Sequence, residues 1–127
     1  IAGGIVLGTA VDYMNSVGFE NIQKQETELL NYATEQLLAI EGLKIYGTAE
    51  AKTSVISFNI DGIHPYDIGT IVDKLGIAVR TGHHCAQPIM NFFEIPGTIR
   101  ASFAFYNTKE EIDIMVEAVK KAKMMLS

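Results

Sequence analysis

The sequence predicts an α+β domain, a small antiparallel or mixed sheet of three to four strands with helices packed mainly on one face. Two observations lead there. Apolar residues recur at helical spacing around residues 19–40, 64–75 and 108–126. Short β-branched and aromatic runs lie between them, the clearest being Thr-Ser-Val-Ile-Ser-Phe-Asn-Ile at 53–60. A chain of 127 residues, 48% apolar and 20% charged, is long enough for one such domain with its own core. No internal repeat, low-complexity tract or inter-domain linker interrupts it.

Taken in order, Ile5, Val6, Leu7, Ala10, Val11 and Met14 predict a short, largely buried helix ending near Gly18, weakened by Gly3, Gly4 and Gly8. Phe19 to about Ile40 forms the next helix, with Phe19, Ile22, Leu29, Leu30, Ala33 and Leu37 on one face and Gly42 as its stop. Leu43–Tyr46 and Thr53–Ile60 are strands, the second closed by Asp61-Gly62. His64-Pro65 opens a helix running through Leu75, because proline suits a first helical turn. Its buried stripe is Ile68, Ile71, Val72 and Leu75, and Ile77–Arg80 then form a short strand. Pro88–Phe93 is a turn or short helix, and Thr98–Phe105 a strand with Arg100 and Ser102 on its polar side. The capping box Thr108-x-x-Glu111 starts the last helix, whose face is Ile112, Met115, Val116, Val119 and Leu126. The order is ααββαβ(α)βα.

Bulk properties narrow the function. A net charge of −5 opposes nucleic-acid binding, and no apolar run approaches the roughly 20 residues needed to cross a bilayer. One cysteine cannot form an internal disulfide, which is compatible with a reducing cytosol. The start at Ile1-Ala2-Gly3-Gly4, without an initiator Met, reads as a cut inside a longer protein.

The segment Arg80-Thr81-Gly82-His83-His84-Cys85-Ala86 carries the chemistry, because it holds the only cysteine in the chain. A thiol attacks as thiolate, and adjacent cationic groups favour that form. Cys85 follows a strand on a glycine-containing turn, where functional groups are commonly presented. The competing reading is a small buried hydrophobe. An extended segment would turn His83 and Cys85 to one side and His84 to the other. Arg80 adds positive potential, or else forms a surface ion pair. Arg100, in the strand Ile-Arg-Ala-Ser-Phe-Ala-Phe, requires a carboxylate or phosphate partner if buried, either a ligand or an Asp or Glu of the same protein. Its planar fork suits bidentate capture of a carboxylate. Zinc binding by His64, His83, His84 and Cys85 is disfavoured, because three ligands in direct succession are not a structural zinc spacing. His64 with Asn59 or Asn107 could mimic a cysteine-protease constellation, but no protease signature accompanies them. No Walker or GxGxxG loop is present.

The run Ala78-Val79-Arg80-Thr81-Gly82-His83-His84-Cys85-Ala86-Gln87-Pro88, followed by Arg100-Ala101-Ser102 and Tyr106-Asn107-Thr108, resembles the SUF-type (group II) cysteine desulfurases and selenocysteine lyases. These are class V aminotransferase relatives that use pyridoxal phosphate. The opening Ile-Ala-Gly-Gly-Ile-Val-Leu-Gly-Thr-Ala-Val-Asp-Tyr and the Gly-Phe-Glu-Asn-Ile segment resemble the same family, so the likeness covers essentially the whole chain.

The resemblance implies the small C-terminal domain of a fold-type I pyridoxal-phosphate enzyme, residues 1–127, with 1–17 ending the connection from a large domain. It implies that Cys85 takes sulfur from L-cysteine as a persulfide, releasing alanine. Arg100 would hold the substrate carboxylate, and Arg80 would be a second substrate-binding arginine. His83 and His84 would form the environment of the motif. It implies a SUF sulfur-acceptor protein feeding iron–sulfur assembly, a homodimer at full length, and a cytoplasmic location with no nucleic-acid or membrane partner. The family's Schiff-base lysine lies in the large domain, and none of Lys24, Lys44, Lys52, Lys74, Lys109, Lys120, Lys121 or Lys123 stands in a matching context. No cofactor-binding residue and no metal site is therefore expected here, and the chain alone is expected to be inactive. The alternatives are a selenocysteine lyase or another class V member, a non-catalytic sulfur-carrier or docking module, and a purely structural domain.

Overall fold

Period-two burial in the second strand organises the molecule. In β2 (Val55–Ile60) the side chains of Ile56, Phe58 and Ile60 are buried, while Val55, Ser57 and Asn59 face the other way and are half-exposed. The computed structural model describes residues 1–127 and forms a four-stranded sheet in the order β1-β2-β4-β3, every pairing antiparallel. β1 is Leu43–Tyr46, β3 Arg80–Gly82 and β4 Thr98–Ser102. In β4, Ile99 and Ala101 continue the buried face and Arg100 lies on the opposite one.

Three helices cover the buried face. They are α2 (Phe19–Leu38), α3 (Pro65–Lys74) and α5 (Lys109–Leu126). Leu29 and Leu37 of α2, Ile68 and Val72 of α3, and Ile112 and Val119 of α5 meet Ile56, Phe58 and Ile99 in one cluster. Each large apolar side chain removed from water there contributes about 1.5–3 kcal/mol. His64 caps α3 by accepting from the Tyr66 amide at 3.2 Å, and Pro65 occupies the first turn, where its missing N–H is no loss. The capping box of α5 is complete: the Glu111 amide donates to Thr108 Oγ1 at 3.2 Å and the Thr108 amide to Glu111 Oε2 at 3.0 Å. The fold class read from the sequence is therefore the one observed, with four strands and an entirely antiparallel sheet.

Several local expectations are corrected. The first helix, α1 (Ala2–Val17), is neither short nor buried: it has 16 residues, none of them buried, and Ile5 and Leu7 are 72% and 64% exposed. Within this chain it leans on α2 and, near Tyr13, on Phe105, whose ring lies 6.4 Å away. Phe19, Leu75 and Leu126, assigned to buried stripes, are exposed, because each sits at or beyond a helix end. Helix α2 stops at Leu38, before Gly42. The third strand is Arg80–Gly82 rather than Ile77–Arg80, since pairing with β4 begins at the Arg80–Arg100 register. The fourth strand ends at Ser102, where its pairing with Val55 ends, and β2 starts there rather than at Thr53.

Candidate active site

The face of the sheet turned away from the core helices carries Ser57, Asn59, Thr98 and Arg100, and α4 (Gln87–Phe93) lies across part of it. Between them is a cavity of about 400 Å³. Ser57, Thr98 and Arg100 line its sheet side, and Ile89, Met90 and Phe93 its helix side. Tyr46 closes one end, edge-on to Phe93 at 5.3 Å.

Arg80 and Arg100 stand directly opposite each other in the β3–β4 ladder, so both guanidinium groups leave the same face of the sheet. Neither has a carboxylate partner. The two salt bridges, Lys109–Glu28 and Lys120–Glu117, are elsewhere on the surface. The intramolecular ion pairs considered for both arginines are thus not formed. Arg80 is exposed, whereas Arg100 is half-buried with its Nε shielded from water and unbonded. Two like charges opposite one another disfavour the strand pair unless an anion sits between or beside them.

The thiol-bearing turn leaves β3 at Gly82. It does not stay extended, which corrects the alternation expected for His83, His84 and Cys85. His84 and Cys85 adopt φ values of 53° and 58°, the left-handed region that costs non-glycine residues about 1–2 kcal/mol each. Local bonds offset this. The Ala86 amide donates to the His83 carbonyl at 2.8 Å. His84 Nε2 lies 3.1 Å from the Thr98 carbonyl and 3.0 Å from Thr98 Oγ1. A carbonyl oxygen only accepts, so Nε2 carries the proton and Nδ1 is the free acceptor. That Nδ1 is buried and has no partner. Burial first, then the positive charges of Arg100 and Arg80, hold His84 below the ordinary histidine range. It is a neutral imidazole at the cavity wall.

Cys85 is exposed, so its reading as a buried hydrophobe is overturned. Its neighbours His84 and Ala86 line the cavity and Cys85 does not, so the residue borders the cavity while remaining exposed. His83, two residues before it, is exposed as well. His64 is engaged as a helix cap, and Asn107 accepts from the Ala104 amide at 2.8 Å while donating to Glu111, so neither joins the thiol. No three His, Cys, Asp or Glu side chains gather closely enough to hold a metal ion. Tyr46, Ser57 and Thr98 were not singled out from the sequence. The alternation in Val-Ile-Ser-Phe-Asn-Ile was the available signal, since it sends Ser57 and Asn59 to the face opposite the core.

Pyridoxal phosphate can be tested against these residues. Arg100 is the only charged side chain lining the cavity, and no lysine reaches it. The lining fits a carboxylate and a small apolar or sulfur-bearing group, but supplies neither an amine for a Schiff base nor a phosphate cradle.

The aminotransferase class-V family model matches residues 1–115. A "Probable cysteine desulfurase" of Halalkalibacterium halodurans is 46% identical over 123 residues, covering 97% of this chain and 30% of that protein. A protein of the same description from Staphylococcus aureus is 48% identical, covering 100% of this chain and 31% of the relative. Among solved structures, the apo cysteine desulfurase of Thermococcus onnurineus superposes with a TM-score of 0.85 at 37% identity, over 91% of this chain and 29% of that one. The Escherichia coli cysteine desulfurase CsdA, in an S-sulfonic acid form, gives 0.86 at 31% identity, over 93% and 29%. The chain thus spans about 30% of the length of the relatives it matches. Matched by that family model over residues 1–115, the chain belongs to the aminotransferase class-V family.

Proposed function

We propose that this chain is the C-terminal small domain of a pyridoxal-phosphate-dependent cysteine desulfurase, supplying the sulfur-accepting thiol and the clamp for the substrate carboxylate. The observation that carries this reading is the exposed Cys85 bordering a cavity whose only charge is an ion-pair-free Arg100. Arg100 receives the carboxylate of L-cysteine through its fork, and Arg80, opposite it on the same face, adds positive potential. His84, neutral and fixed by Thr98, keeps the turn beside that carboxylate without adding a third charge. Cys85 then attacks the substrate sulfur as thiolate. A sulfur–sulfur bond forms as the substrate carbon–sulfur bond breaks. The electron pair stays with the substrate carbon, which takes up a proton to give L-alanine. Pyridoxal phosphate, held by the rest of the protein, supplies the electron sink for that cleavage.

The exposure of Cys85 supports transfer of the persulfide sulfur to an acceptor protein, which we assign to the SUF system and to iron–sulfur cluster assembly in the cytoplasm, with the full-length protein acting as a homodimer. Because no lysine reaches the cavity, the chain alone neither binds pyridoxal phosphate covalently nor releases alanine. The test uses the full-length protein and L-cysteine. Cys85→Ser should remove sulfane sulfur from the peptide carrying residue 85 and suppress alanine release, whereas the isolated chain should show neither activity. Wild-type alanine release by the Cys85→Ser enzyme, or robust release by the chain alone, would overturn the reading. Running selenocysteine beside cysteine separates a desulfurase from a selenocysteine lyase.

A further inference from the structure

The thiol turn leaves the sheet from a short edge strand. β3 is three residues long and pairs only with β4. The left-handed residues His84 and Cys85 follow immediately. Besides the His84–Thr98 bonds, the base of the turn rests on a seam between two backbones, Gly82 at the end of β3 and Gly97 just before β4. A Cβ on Gly97 would fall 2.9 Å from both the carbonyl carbon and the oxygen of Gly82 and 3.0 Å from its Cα, so the two segments touch with no side chain between them.

Gly97 lies beyond the reach of the β2–β4 ladder, whose last pair is Phe58 with Ile99. The next residue of β2, Asn59, takes over. Its Nδ2 donates to the Gly97 carbonyl at 2.8 Å, a side-chain bond where a ladder bond would otherwise continue. Its Oδ1 is buried and has no donor. An apolar residue here would leave no amide oxygen unpaired, but it would strip the buried Gly97 carbonyl of its donor. The asparagine is explained by what its donor holds.

We infer that Asn59 is a positioning residue for the thiol: through Gly97 and the Gly82 seam it fixes the base of the turn that carries Cys85. The inference rests on Cys85 being the sulfur acceptor, but its physical content, the anchoring of the turn, is measured independently of turnover. Asn59 is not among the residues that line the cavity. It acts on the thiol only through backbone.

The experiment is hydrogen–deuterium exchange on the full-length protein, comparing a peptide spanning 80–90 with one from α5, for wild type and Asn59→Leu. Leucine keeps the branching at Cγ, although it is bulkier, and removes both the donor and the orphaned oxygen. Exchange in the 80–90 peptide should rise about threefold to tenfold, the range that loss of one neutral hydrogen bond supports. The α5 peptide and the melting temperature should stay at wild-type values. Alongside, kcat for alanine release should fall with KM for cysteine little changed, because Arg100 is untouched. Should Asn59→Leu not fold, Asn59→Ser is read in the same way. Gly97→Ala, which forces the seam from the other side, should give the same local signature. Unchanged exchange at 80–90 in the Asn59 variants, or a rise shared equally by α5, overturns the inference. A local rise in a protein that releases no alanine leaves the anchoring intact and sinks the desulfurase reading instead.

Discussion

Replacing Gly69 by alanine sets two effects of known size against each other. Gly69 lies inside α3, where alanine is favoured by about 1 kcal/mol on helix propensity. The new methyl, however, would overlap the Thr81 Cγ2 methyl well inside van der Waals distance, with Thr81 Cβ at 3.6 Å and Oγ1 at 3.7 Å. Threonine is stiff at χ1 and Thr81 sits in β3, so relief requires moving that strand off α3. Overpacking of this kind costs about 1–3 kcal/mol. An overlap this deep belongs in the upper half of that range, so Gly69→Ala should destabilise by about 1–2 kcal/mol net. Thr81→Ser removes the obstructing methyl. In the Thr81→Ser background the same alanine should be neutral or stabilising, giving a coupling of about 1.5 kcal/mol or more. Urea unfolding of the four proteins in the double-mutant cycle measures this directly. Additivity within about 0.5 kcal/mol would show that β3 does not pack on α3 through this contact. Because β3 leads into the thiol turn, Gly69→Ala alone should also change the alkylation rate of Cys85, and Thr81→Ser should restore it.

Other consequences concern single groups. Arg100→Lys in the full-length enzyme keeps the charge and loses the fork, so KM for cysteine should rise about tenfold to a hundredfold while Cys85 alkylation is unchanged. A KM at the wild-type value would remove Arg100 from substrate binding. For His84 the folded-state pKa lies below the ordinary value of 6.5, so between the two the unfolded chain binds more protons. The stability this contributes is whole above pH 6.5 and is lost as the pH falls from there towards the folded-state pKa. The urea midpoint should therefore decline across that window in the wild type, and less steeply in His84→Gln; equal slopes would refute the assignment. Thr108→Ala deletes the hydroxyl that accepts from the Glu111 amide and should lower stability by about 1 kcal/mol, read as a shift in urea midpoint. A loss below a few tenths would mean that water caps α5 equally well.

Much of the architecture was legible because local rules and burial agree. In β2 the alternation of Ile56, Phe58 and Ile60 with Ser57 and Asn59 is both a strand pattern and a two-faced surface. In α5 the Thr108–Glu111 box and the apolar spacing mark the same helix. Helix α1 went wrong for the opposite reason. Apolar composition states what a segment would gain by burial, not whether a partner in the same chain covers it, and here Ile5 and Leu7 remain exposed. The third strand starts three residues later than expected because a three-residue edge strand is defined by its partner, Arg100 through Thr98, rather than by its own propensity.

The sequence by itself determined the element order and the α+β class, and it singled out Cys85, Arg80, Arg100, His83 and His84 as candidates. Those follow from periodicity, capping chemistry and a motif, all of which are properties of neighbouring residues. Only the tertiary structure decided that Arg80 faces Arg100, that neither has a carboxylate, that Thr98 sets the tautomer of His84, and that Asn59 reaches Gly97. Each of those pairs joins residues 14 to 38 positions apart, whose meeting depends on strand order and register. Register is a global outcome of packing one sheet face against three helices, and no local window of sequence contains it.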